Sequence, residues 1–120
     1  MKLEDAVNGM LDAREKLRSK EGINNPMYMS EHMDRLAQYT GAVEEHLADL
    51  EEEYEKERYS RYLEYSKMLS ATAADNKSKA EVHHEYAQRV KLTRLVSSSW
   101  RIVSEKQSRF NHLSSEIVGQ

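Results

Sequence analysis

Apolar residues recur along this chain at steps of three and four, the period of a helix laid on a core. Leu3, Val7, Met10, Leu11 and Leu17 mark a first helix over 3–20. Gly22 is its natural stop, and Asn24-Asn25-Pro26 makes a turn, because the residue before proline disfavours helix. A second helix starts at Ser30, an N-cap followed by Glu31 in the first turn. Its stripe, Met33, Leu36, Thr40, Val43, Leu47, Leu50 and Tyr54, repeats like a heptad. It continues at wider spacing through Arg58, Tyr62, Tyr65 and Leu69, a stutter that would unwind a supercoil. Over 30–70 this helix is about 60 Å long at about 1.5 Å per residue. Gly41 is its one weak point, costing about 1 kcal/mol relative to alanine.

A small, polar linker over 71–77 separates this helix from the next. Ser78-Lys79-Ala80-Glu81 reads as a capping box, in which serine and glutamate cover free amides reciprocally. The third helix spans 78–117. One stripe on it is Val82, Tyr86, Val90, Thr93, Val96, Trp100, Val103, Phe110 and Leu113, and a second apolar edge is Leu92, Leu95 and Ile102.

The pattern predicts an all-α chain and one domain over 1–120: a short N-terminal helix, then two long helices forming an elongated antiparallel hairpin. A helix of about 60 Å can bury its stripe in so short a chain only as a thin, elongated hairpin, and two apolar edges exceed what one hairpin partner covers. Association of copies follows, with Leu92, Leu95, Trp100, Ile102, Phe110 and Leu113 as the joining residues. The plainer alternative is a monomeric three-helix bundle.

Composition agrees with long exposed helices: 32% of residues are charged, with one Pro and four Gly. The absence of cysteine excludes disulfides and thiolate metal sites and fits a reducing, cytoplasmic setting. No apolar run reaches the roughly 18 residues of a membrane span. Met1-Lys2-Leu3-Glu4-Asp5 has no apolar core, so neither a secretory signal nor a membrane partner is expected.

Charge changes the picture further, because it is split along the chain. Residues 1–76 carry ten Lys/Arg against seventeen Asp/Glu, a balance of −7, and residues 77–112 carry eight against three, a balance of +5. The overall charge of −3 conceals a basic helix joined to acidic ones. Such a segment can hold a polyanion locally, which brings nucleic acid forward as a partner.

On the third helix Arg94, Ser98, Arg101, Ser108, Arg109 and His112 share a face, flanked by Lys91 and Arg89. Guanidinium groups suit phosphate through their donor fork. Ser97-Ser98-Ser99 keeps that face slim enough for a phosphate backbone to approach. The competing reading is a solvated face, or arginines paired with acidic residues of a neighbour. A second basic cluster interleaves with aromatics: Arg58-Tyr59-Ser60-Arg61-Tyr62, then Tyr65 and Lys67. Tyrosine stacks on unpaired bases at about 1–3 kcal/mol each. Tyr54, Tyr62 and Tyr65 lie on the apolar stripe and are assigned to the core, leaving Tyr59 as the stacking candidate.

The acidic run Glu51-Glu52-Glu53 with Glu55 and Glu57 is a solvated face or a site for a basic partner protein. Glu81 and His84 match half of a bundle metal site, but no second Glu-x-x-His exists, so no metal and no cofactor are expected. No phosphate-binding glycine loop or nucleophile elbow is present, and no enzyme activity is expected.

The order of these features resembles the UvsY-like recombination mediator proteins of tailed phages. Lys2-Leu3-Glu4-Asp5 is similar to that family's start, Tyr39 to Tyr65 to its long helix ending in a basic–aromatic segment, and Thr72-Ala73-Ala74-Asp75 to its linker. Ser108-Arg109 followed by His112-Leu113 is similar to the finish of its last helix. The resemblance implies a ring-like homo-oligomer that binds single-stranded DNA and helps a RecA-type recombinase load against single-strand binding protein. It places Arg58 and Arg61 at the family's basic positions, although here Tyr59 and Tyr62 crowd around them. It also implicates the C-terminal helix in self-assembly. The alternative is a structural or adaptor coiled-coil phage protein that binds a protein through its acidic long helix.

Overall fold

Ser19 splits the first helical segment in two. In the computed structural model, which describes residues 1–118 with side chains through Glu116, α1 is Leu3–Arg18 and α2 is Lys20–Asn24. Ser19 is extended (φ −68°, ψ 165°), and its hydroxyl accepts from the Gly22 amide at 3.1 Å. A side-chain oxygen that satisfies a free amide starts a new helix there. The continuous helix expected over 3–20 is corrected accordingly, and Gly22 is not its stop. It is buried inside α2, where a Cβ would collide with the Lys16 and Leu17 backbone.

α3, Pro26–Tyr65, has forty residues, the expected length displaced toward the N-terminus. Asn25 is extended, and its Oδ1 accepts from the Met27 and Tyr28 amides at 3.1 and 3.2 Å. Pro26 follows at a position where its missing N–H costs nothing. Asn25 therefore caps this helix five residues before Ser30.

The linker expected over 71–77 is helical instead, which is a second correction. α4 is Ala71–Glu81, capped by Ser70, whose hydroxyl accepts from the Ala73 amide at 3.2 Å. Alanine at 71, 73 and 74 favours helix once a cap is supplied. Ser78 is not a cap: it is buried within α4 and its hydroxyl donates to the Asp75 carbonyl at 2.9 Å. The true interruptions are 66–70 and Val82, and α5 is His83–Val118. Among the described residues there is no strand, and no helix is long and apolar enough to cross a membrane.

The packing divides into two compact units where the sequence reads as one domain: Met1–Glu44 with α5 from Leu95 on, and Glu45–Arg94. In the first, Ala6, Met10, Ala13 and Leu17 of α1 are buried, as are Met29, Met33, Leu36, Thr40 and Val43 of α3 and Val96 and Ser99 of α5. A Cβ on Gly9 would stand 2.5 Å from the Tyr39 ring, so glycine sets the α1–α3 approach. In the second unit, Tyr54, Ala74, Ser78, Val82 and Leu92 are buried. There α3 and α5 run antiparallel, since Glu51 pairs with Arg89 and Tyr54 meets Tyr86.

α5 is turned from its expected face. Within it Leu92, Val96 and Ser99 are buried, whereas Tyr86, Thr93 and Trp100 are exposed. The small Ser99 lets the helix approach closely and draws the core face toward it, while Trp100 Nε1 donates to Glu44 at the surface.

Candidate nucleic-acid interface

The structure sorts the eight cations singled out in the sequence into two groups. Arg58, Arg61 and Arg89 are held by carboxylates of the same chain. Arg58 contacts Asp75 at 3.3 Å and Glu55 at 3.4 Å. Arg61 contacts Glu57 at 2.8 Å and Glu81 at 2.5 Å, and these hydrogen bonds raise its pKa. Arg89 contacts Glu51 at 2.9 Å and lies over the Tyr54 and Tyr86 rings at 5.1 and 5.2 Å. These pairs remain open to solvent, which screens them, so the arginines are balanced by charge without being sealed.

The other group is free. Among the described residues, Lys67, Lys91, Arg94, Arg101 and Arg109 are exposed and make no ion pair. Lys91 and Arg94 belong to an open groove of about 700 Å³ on α5, lined also by His83, His84, Tyr86, Ala87, Gln88 and Val90. No carboxylate lines it. Lys106, further along α5, has its pKa lowered by burial and then by Arg109.

The slim serine stretch has a different use from the one expected. Arg14 of α1 donates to the Ser98 and Ser99 hydroxyls at 3.0 and 3.4 Å. Small side chains there admit a guanidinium from the chain itself, whose pKa burial and then Arg18 lower. Ser98 is thus half-buried and internally engaged. His112 pairs with Glu116 at 2.9 Å.

Of the tyrosines, Tyr54 is buried, Tyr62 and Tyr65 are only half-buried, and Tyr59 is 59% exposed. Tyr65 donates to Glu81 at 2.5 Å, and Lys77 sits 4.4 Å over its ring. Of the expected joining residues, Leu92 is buried inside its own unit, Leu95, Ile102, Phe110 and Leu113 are half-buried, and Trp100 is exposed.

Sequence reasoning missed Glu81 as the hub of the second unit and His32 as a buried polar residue of the first. The i,i+4 pairs Glu57–Arg61 and Asp75–Lys79 were readable from spacing; Arg61–Glu81 requires the folded chain. Among the described residues no three His, Cys, Asp or Glu side chains could together hold a metal ion. No protein-family model, curated protein or solved structure matches the chain. The fold and this helix define the class: an all-α protein whose last helix carries exposed cations that make no ion pair among the described residues.

Proposed function

We propose that this chain is a non-catalytic recombination mediator: it binds single-stranded DNA as a homo-oligomer and helps a RecA-type recombinase load against single-strand binding protein. The observation that carries the DNA-binding part is the exposed cations of α5 that make no ion pair among the described residues, Lys91 and Arg94 in one unit and Arg101 and Arg109 in the other. Unneutralised cations gain most from phosphate, because binding releases the counterions condensed on the nucleic acid. The recombinase and single-strand binding protein enter through the family resemblance, and assembly through the half-buried apolar residues Leu95, Ile102, Phe110 and Leu113.

Titration of a fluorescent oligo-dT at several salt concentrations tests the reading. Affinity should fall steeply and linearly on a log–log plot. Absent or salt-independent binding removes it.

A second reading draws on α3. Glu45 and Asp49 are exposed and make no ion pair among the described residues, so an acidic helix face is open to a basic protein partner. An adaptor of this kind would leave oligo-dT unbound while retaining a basic protein.

A further inference from the structure

The end of α3 and the beginning of α4 enclose an open slot of about 300 Å³, lined by Arg58, Tyr59, Tyr62, Ala71 and Asp75. We propose that this slot takes one unpaired nucleobase of a bound single strand, its ring against the tyrosines and its polar edge toward Asp75 and Arg58. The inference rests on the nucleic-acid reading above and names a part of the ligand that charge alone does not engage.

The lining of the slot favours a neutral, flat occupant. Tyr59 is 59% exposed, and among the described residues its side chain makes no hydrogen bond or ring contact. Every base offers a π-face to such a ring. Ala71, the first residue of α4, has a side chain too short to fill the slot.

The polar end is balanced in charge. Asp75 meets Arg58 at 3.3 Å and Lys79 at 3.0 Å, and Arg58 also meets Glu55 at 3.4 Å. Two cations face two carboxylates, so the slot has no net pull on phosphate, unlike the α5 groove. Hydrogen-bonding capacity remains nonetheless. A carboxylate has about four acceptor sites and a guanidinium five donors. Asp75 can therefore accept from a base N–H while Arg58 donates to a base oxygen or ring nitrogen. The volume sits at the small end of the roughly 300–1,000 Å³ typical of small-molecule pockets, the size class for a single ring system.

The test uses the full chain and a single-stranded oligonucleotide carrying 2-aminopurine, read by anisotropy for affinity and by base fluorescence for stacking. Tyr59→Ala should weaken binding roughly 5- to 100-fold, the loss of one stacked base, while Tyr59→Phe keeps the ring and the affinity. Ala71→Leu should fill the slot and weaken binding comparably without removing a charge. Both losses should leave the salt slope unchanged, since no phosphate contact is deleted. Tyr59 and Ala71 are exposed, so helicity and Tm serve as folding controls and should not move. Full affinity in either Tyr59→Ala or Ala71→Leu, with wild-type binding intact, overturns the slot and leaves the α5 surface standing. No binding by the wild type overturns both.

Discussion

Arg61 reaches across twenty residues of sequence to place its Nη1 2.5 Å from Glu81 Oε2, while its Nη2 keeps Glu57 at 2.8 Å. The other Glu81 oxygen accepts from the Tyr65 hydroxyl. One carboxylate thus fastens the end of α3 to the end of α4. The Tyr65 hydrogen bond, then Arg61, holds the Glu81 carboxyl below its usual range. Such a group stabilises the fold above about pH 4.3, and that contribution is lost as pH falls through its lower folded value. Glu81→Gln cannot titrate. It should lower Tm at pH 7 and flatten the decline of Tm below about pH 4.3. Identical acid profiles for the two proteins would contradict this.

The same contact acts on Tyr65 with the opposite sign. Glu81 raises the pKa of the phenol, so its contribution is present below about pH 10 and is lost as pH rises through the folded value. Tyr65→Phe should make Tm less sensitive to pH above about 10. An unchanged alkaline profile counts against the hydrogen bond.

The division of the cations ranks their substitutions. Lys91→Ala with Arg94→Ala removes two unpaired charges and should reduce the salt slope of single-strand binding by roughly 1.4. Arg58→Ala with Arg61→Ala removes charges already balanced by Glu55, Asp75, Glu57 and Glu81, and should change the slope less. The reverse order would place the DNA on α3.

Two glycines should respond in opposite directions. Among the described residues nothing stands within 4 Å of a Cβ built on Gly41, so Gly41→Ala should stabilise the protein by about 0.5–1 kcal/mol in a denaturant titration. Gly22→Ala gains the same helical preference but drives a methyl into the Lys16 and Leu17 backbone. It should destabilise despite that gain. A stabilising Gly22→Ala would mean that α1 and α2 lie further apart than described.

His32 is 4% exposed, and among the described residues its Nδ1 has no hydrogen-bond partner, although its ring packs on Tyr28 at a centroid distance of 4.3 Å. An unsatisfied buried polar atom costs about 1–3 kcal/mol. His32→Leu should therefore raise unfolding free energy by about 1 kcal/mol. A loss of that size would show that the imidazole is satisfied in solution.

The helical class and the face of α3 were legible because Met33, Leu36, Thr40 and Val43 form an unbroken stripe, and all four are buried. Helix ends were less legible, because several residues competed for each cap. Asn25, Ser30, Ser70 and Ser78 are all chemically able to cap; packing selected Asn25 and Ser70. The face of α5 is less legible because side-chain size does not follow burial there: Trp100 and Tyr86 are exposed, while the small Ser99 is fully buried. Basic residues were easy to find in the sequence. Which of them are free was not, since Asp75 and Glu81 reach Arg58 and Arg61 only after the turn at 66–70 brings α4 back.

The central claim is that several copies of this chain bind single-stranded DNA together, and mass in solution tests it most directly. Sedimentation velocity at micromolar concentration, with and without a short oligo-dT, should give a species several times the 14.0 kDa chain mass. That species should take up the oligonucleotide at low salt and release it at high salt. A particle of one chain mass that ignores the oligonucleotide at every salt concentration would contradict the account.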